Sequence, residues 1–280
     1  MTSTDKPFVL NCAGQKIVLD KPVVMGILNI TPDSFYDGGS YINLVDQLKH
    51  VEKMISEGAK IIDIGALSTR PGSLPVSENE ELKRLIPSLT AIKSHFSEIV
   101  ISVDTYRTMV AKEAIESGAM MINDIYGGRY DGEMFRLVAR NKIPYILMHM
   151  QGTPDNMQIN PRYKDVVKEV LDFFRTRLDL VDPSFNQLIL DPGFGFGKTM
   201  ENNFQLLKHL DTYLSFGYPV LAGLSRKSII TRTLRIMPKD ALNGTTALNT
   251  IALMKGASIL RVHDVKEAIE AIRLVEALRQ

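Results

Sequence analysis

Short apolar runs along this chain repeatedly end on a polar residue able to bind a ligand. Residues 23–28 stop at Asn29, 99–103 at Asp104, 120–122 at Asn123, 143–148 at His149 and 188–190 at Asp191. Residues 61–64 lead into Ser68-Thr69-Arg70, 220–224 into Ser225-Arg226-Lys227, and Ile259-Leu260 into Arg261 and His263. Helical patterns fill most of the gaps between these runs. The alternation predicts an α/β fold, a (β/α)8 or TIM barrel, because barrel strands are buried on both faces and their C-terminal ends converge on one mouth. Function is therefore expected in the terminal residues.

The helical stretches carry their own signals. Leu44, Leu48, Val51, Met54 and Ile55 repeat at helical spacing up to Gly58, a residue suited to a left-handed stop. Ser77 and Glu80 have capping-box spacing ahead of Leu82, Leu85, Ile86 and Leu89, and Pro87 is expected to bend that helix. Further helices are predicted over 106–117, 134–140, 163–181 and 201–214, and a last one opens at Asp264 with Glu267 at the capping spacing. Residues 8–19, with a polar turn over 11–15, read as a short N-terminal hairpin that closes the barrel bottom. Residues 31–39 and 68–75 are rich in Pro, Gly and polar residues and read as loops over the mouth. With no internal repeat or linker, residues 1–280 read as one domain.

Composition narrows the function classes. Lys and Arg number 33 and Asp and Glu 32, so a net charge of +1 gives no global field for nucleic acid or an anionic membrane. No apolar run reaches the ~20 residues needed to span a bilayer, and the opening residues lack a signal-peptide pattern. One cysteine, Cys12, excludes an intrachain disulfide and agrees with a reducing compartment. A cytoplasmic protein is expected, with small-molecule substrates.

Three constellations carry chemistry. Asp104, Asn123 and Asp191 would bring buried polar groups to the mouth, with Lys227 available either as an ion-pair partner or as a ligand contact. Such a set fits a flat heterocycle: a carboxylate accepts N–H groups from an amino-pyrimidinone edge, while Lys and Asn meet its carbonyl and ring nitrogens. Arg261 and His263 lie on one side of a strand, ahead of a helix N-terminus, as a phosphate site would. The stretch Pro192-Gly193-Phe194-Gly195-Phe196-Gly197-Lys198-Thr199 has the look of a P-loop but places Pro192 where the first glycine belongs. Its glycines are instead expected to let backbone approach a flat ligand, with Phe196 as an apolar wall. His149 reads as a hydrogen-bonded structural residue, and no nucleophile elbow or zinc motif is found.

Residues 25–35, Asp63-Ile64-Gly65 with Ser68-Thr69-Arg70-Pro71-Gly72, Ser102-Val103-Asp104-Thr105, Ile122-Asn123-Asp124, Met148-His149-Met150, 190–198, Ser225-Arg226-Lys227-Ser228 and 261–265 follow one another in the order found in a known family. On these blocks the chain resembles the dihydropteroate synthases of folate biosynthesis. The resemblance implies condensation of 6-hydroxymethyl-7,8-dihydropterin pyrophosphate with p-aminobenzoate, giving 7,8-dihydropteroate and pyrophosphate. It places the pterin on Asp104, Asn123, Asp191 and Lys227, and the pyrophosphate on Asn29, Arg70, Arg261 and His263, with Mg²⁺ near Asn29. It places p-aminobenzoate among Phe35, Thr69, Pro71, Phe196 and Ser228, and implies a homodimer. The catalytic set is then Asp104, Lys227, Arg261, His263 and Arg70, acting stepwise through a pterin methylene cation. Where the family often has Gly-Glu after Asp-Ile-Gly, this chain has Ala66-Leu67. A methyltransferase acting between a methylated folate and a corrinoid, and a pterin-binding homologue without catalysis, are the alternative readings.

Overall fold

The computed structural model describes residues 7–31, 43–67 and 76–279. β1 (Phe8–Cys12) and β2 (Gln15–Leu19) form an antiparallel hairpin. Strands and helices then alternate as β3 (Val23–Asn29), α1 (Leu44–Glu57), β4 (Ile61–Gly65), α2 (Glu78–His95), β5 (Val100–Asp104), α3 (Thr108–Glu116), β6 (Met121–Asp124) and α4 (Met134–Asn141). The second half runs β7 (Tyr145–Met148), α5 (Val166–Leu178), β8 (Leu188–Asp191), α6 (Met200–Lys208), β9 (Leu221–Ala222), α7 (Ser228–Leu234), α8 (Leu242–Met254), β10 (Ile259–Val262) and α9 (Val265–Arg279). The eight strands from β3 on pair in the order β8-β7-β6-β5-β4-β3-β10-β9, and a parallel bridge between Leu190 and Val220 joins the ends. The sheet is the nearly closed parallel barrel that the alternation predicts, capped below by the hairpin.

Local signals act as read. Asn43 accepts from the Val45 amide to start α1, and Gly58 ends it at φ 110°. Ser77 caps α2 by accepting from the Glu80 amide at 3.2 Å, and the helix runs unbroken through Pro87. The helix expected over 201–214 divides, α6 giving way to a 3-10 turn (Leu210–Phe216) whose three-residue period buries both Leu210 and Tyr213. β9 is only two residues long, and two helices rather than one separate it from β10.

Strand parity positions the site. Val24, Leu28, Ile62, Ile64, Ile101 and Val103 face the surrounding helices and belong to the main core. Their neighbours of opposite parity face the barrel axis. One residue from each strand, from Met25 on β3 to Ile259 on β10, forms an apolar plug against Leu10, Cys12 and Ile17 of the hairpin. Two residues further along, the inward set changes character to Ile27, Asp63, Ser102, Asn123, Met148, Asp191, Gly223 and Arg261. Two further still come Asn29, Gly65, Asp104, Ile125, Met150, Gly193, Ser225 and His263. The barrel is thus an oil-filled cup with a polar upper half. Among the described residues, no helix is long and apolar enough to cross a membrane.

Candidate active site

The polar layers are knitted together by Arg261. Its Nε donates to Asp63 Oδ2 at 2.7 Å and its Nη2 to Asp104 Oδ2 at 2.9 Å, across three strands. Asp63 Oδ2 also accepts from Asn123 Nδ2 at 2.9 Å. Because Asp63 is an acceptor, this bond fixes which end of the Asn123 amide is oxygen; among the described residues that Oδ1 accepts no hydrogen bond, and one Nδ2 hydrogen is left over beside it. Asn123 can therefore present an accepting Oδ1, in a fixed orientation, to a ligand N–H. Asp63 itself was visible only as part of a family block. Its signal is a carboxylate of inward parity inside an apolar strand, which must find a cation when wholly buried.

Asp104 closes the arrangement at the mouth. Burial pushes its pKa up to about 7, opposed by Arg261 and reinforced by the carboxylates of Asp63, Glu81 and Asp124. Burial opposes the Arg261 charge as well, but Asp63 and Asp104 outweigh it and hold the guanidinium protonated. Asn29 and Asp104 stand level with Gly65 between them, in the register Asn29–Gly65–Asp104.

Asp191 and Lys227 lie on the other side of the barrel. Asp191 Oδ1 accepts from the Gly193 amide at 2.8 Å, and burial raises its pKa while Lys227 draws it down. Lys227 Nζ donates to the Phe194 carbonyl at 2.6 Å and lies 4.8 Å from the centre of the Phe196 ring. Burial lowers its pKa to about 8. Lys227 partly neutralises Asp191 through its charge, as the sequence offered, without a direct ion-pair contact, while Arg261 makes the direct pairs with Asp63 and Asp104. If ionised Asp104 and protonated Lys227 are both required, kcat/KM should fall below about pH 7 and again above about pH 8. A pH profile that is flat between those limbs and beyond them would contradict both roles.

His263 and Ser228 are held by the neighbouring loop. Ser225 Oγ accepts from the His263 amide at 3.2 Å and lies 2.9 Å from its Nδ1. Arg226, at φ 56°, forms a two-pronged pair with Asp264, Nε to Oδ2 at 2.9 Å and Nη2 to Oδ1 at 2.5 Å. This clamp ties the β9 and β10 ends together and fixes the segment that carries Lys227 and Ser228. It also places a carboxylate where the sequence reading expected the start of α9 to favour an external anion. Phe35, Thr69, Arg70 and Pro71 lie outside the described residues, as do nearly all of the loops 31–39 and 68–75.

The glycine-rich stretch departs from its expected role. A Cβ on Gly193 would fall on the His149 carbonyl oxygen, and one on Gly197 would meet the Gln151 carbonyl at 2.5 Å. The close approach is to the backbone following β7 and not to a ligand. Among the described residues, no group of three His, Cys, Asp or Glu side chains could hold a metal ion.

This polar cup agrees with the family comparison, in which the model for pterin binding enzymes matches residues 25–263. The chain belongs to the pterin-binding enzyme family. It is 47% identical over 267 residues to the dihydropteroate synthase of Escherichia coli, covering 94% of each chain. To that of Streptococcus pyogenes it is 44% identical over 271 residues, covering 95% of this chain and 98% of the other. Among solved structures, Yersinia pestis dihydropteroate synthase in a sulfonamide drug complex superposes with a TM-score of 0.93 at 45% identity, over 97% of this chain and 99% of that one. The Xanthomonas albilineans enzyme with 7,8-dihydropteroate gives 0.84 at 38% identity, over 97% and 99%. As in any pterin-binding enzyme, the site must satisfy a fused heterocycle rich in N–H groups. Asp191, Asn123 and Asp104 carry acceptors and Lys227 a donor at the C-terminal ends of the barrel strands.

Proposed function

We infer that the protein joins 6-hydroxymethyl-7,8-dihydropterin pyrophosphate to p-aminobenzoate, forming 7,8-dihydropteroate and pyrophosphate in folate biosynthesis. The observation that carries this reading is the polar layer above the apolar plug. There Asp191 has a carboxylate oxygen beyond the one held by Gly193, Asn123 Oδ1 accepts no hydrogen bond among the described residues, and Lys227 stands beside Phe196. Asp191 would take the two N–H groups of the amino-pyrimidinone edge, Asn123 a further N–H, and Lys227 the carbonyl. Phe196 and Ser228, with Phe35, Thr69 and Pro71, would then hold p-aminobenzoate above the pterin. The solved relatives include a Xanthomonas albilineans enzyme with 4-aminobenzoic acid, at a TM-score of 0.89 and 40% identity over 98% of this chain and 99% of that one.

The chemistry divides along the same lines. The C–O bond to pyrophosphate breaks first, its electron pair leaving with the phosphate, and the amine nitrogen then bonds to the methylene carbon and loses a proton to solvent. Asp104 offsets the positive charge that develops on the pterin, while Arg261, His263 and Arg70 receive the departing anion. Mg²⁺ fits beside Asn29, because Gly65 lacks a side chain there and a Cβ would come within 3.3 Å of Asn29 Oδ1. Asn29 would hold the ion together with waters and substrate phosphate oxygens, and the bound ion supplies positive charge next to the leaving group. With both substrates, the protein should release one pyrophosphate for each dihydropteroate formed. No release would overturn the reading in favour of a non-catalytic homologue. Within a series of substituted anilines, turnover that rises steeply with amine nucleophilicity, when chemistry limits the rate, would replace the stepwise route with direct displacement.

The protein is further proposed to act in the cytoplasm as a homodimer. Leu234 and Met237 near α7, Ile251 and Met254 on α8, and Leu274 and Leu278 on α9 are all exposed, the kind of apolar patch that marks an interface. Leu253 and Ile272 on the same helices pack into the core instead. Sedimentation equilibrium should give twice the 31.3 kDa chain mass, and a monomer at micromolar concentration would refute the assembly.

A further inference from the structure

Lys198, the lysine of the P-loop look-alike, has no part in the chemistry above, yet it is the most enclosed lysine near the site. Lys198 is 4% exposed. Its Nζ lies 2.8 Å from the Gly193 carbonyl, 2.9 Å from the Phe196 carbonyl, 3.0 Å from His149 Nδ1 and 3.3 Å from the His149 carbonyl. These acceptors surround the amine, and burial lowers the Lys198 pKa well below its ordinary value, opposed by Asp191. His149 can accept because burial, with Lys198 and Arg129 adding to it, lowers its pKa to about 2 and keeps the ring neutral.

The loop that Lys198 grips is held in an unusual way. Five consecutive carbonyls each accept from a side chain: Gly193 and Phe196 from Lys198, Phe194 from Lys227, Gly195 from Gln158 at 2.6 Å, and Gly197 from Tyr163 at 2.8 Å. The segment has no sheet or helix of its own to fix it, so the side chains do so. Lys198 binds at both ends of the turn closed by the Phe196 amide on the Gly193 carbonyl.

We propose that Lys198 is a positioning residue for the arylamine subsite: its buried Nζ, seated on His149, draws the Gly193 and Phe196 carbonyls inward and so fixes the Phe196 ring against Lys227. The loop is then preformed before substrate arrives. Asp191 belongs to β8 and Lys227 to the loop after β9, and on Asp191 the Lys198 charge ranks behind Lys227 and the Gly193 amide, so the pterin contacts depend less on this grip than Phe196 does. This inference rests on the reading that Phe196 lines the p-aminobenzoate subsite.

Lys198→Met keeps the length of the side chain and removes every donor. It should raise the KM for p-aminobenzoate by about tenfold or more while pterin affinity, measured by calorimetry, stays within about threefold. A smaller rise, or an equal loss for the pterin, would overturn the proposal. Should this variant fail to fold, the unaltered protein still decides. Amide exchange at Gly195 and Phe196 should be as slow in the free protein as with a sulfonamide and pyrophosphate bound, and protection gained only on binding would overturn a preformed loop. Phe196→Ala separates the two layers of argument. An unchanged KM for p-aminobenzoate in that variant refutes the subsite reading, whereas the exchange rates test the hold of Lys198 on the loop by themselves.

Discussion

Asp191→Asn is expected to weaken pterin binding by about 10²- to 10⁴-fold in a protein that still folds. The size follows from two charge-assisted hydrogen bonds, each contributing roughly 1.5 to 3 kcal/mol. The geometry makes the direction firm. The Gly193 amide donates to one oxygen of Asp191 at 2.8 Å, so an asparagine would have to turn its oxygen to that amide. Its NH₂ would then face the N–H groups of the pterin, donor against donor. Calorimetric titration with the free pterin alcohol reads the effect without the pyrophosphate. Near-normal affinity would remove Asp191 from the pterin site.

Asp63→Ala should cost about 3–5 kcal/mol of stability, the range for breaking a buried ion pair from one side. Asp63 is wholly buried and accepts from both Arg261 Nε and Asn123 Nδ2 through one oxygen. Its loss leaves Arg261 paired with Asp104 alone and frees the Asn123 amide to rotate. Denaturant unfolding should show a lower midpoint with an unchanged slope. A loss under about 1 kcal/mol would mean that Arg261 re-pairs within the cup. Pterin binding should fall as well, since Asn123 no longer presents a fixed acceptor.

That second prediction could not have been made from the chain alone. Asp104, Asn123 and Asp191 were legible because each ends an apolar run, where a polar residue stands out. Asp63 sits inside such a run, between Ile62 and Ile64, and its partner Arg261 is 198 positions away. Only the closure of the barrel brings β10 beside β3, and so within reach of β4. Lys198 was legible as a glycine-loop lysine, but its chemistry was not. The acceptors it needs come from the β7 end and from its own loop, and their convergence depends on how the segment after β7 lies against residues 193–197.

The sequence by itself determined the alternation of elements, the helix stops at Gly58 and the capped start at Ser77, because these depend on local periodicity and on neighbouring backbone groups. It also determined which strand ends carry ligand-capable side chains, since inward parity repeats every two residues along any strand. Tertiary structure decided which of those side chains meet. Arg261, read as an anion ligand, is drawn to Asp63 and Asp104 because a buried carboxylate without a cation would not persist. Lys227, read as the partner of an aspartate, acts on Asp191 through its charge, but its direct contacts are the Phe194 carbonyl and the Phe196 ring. Pairings between distant strands depend on the stagger of the closed sheet, and no local pattern encodes that stagger.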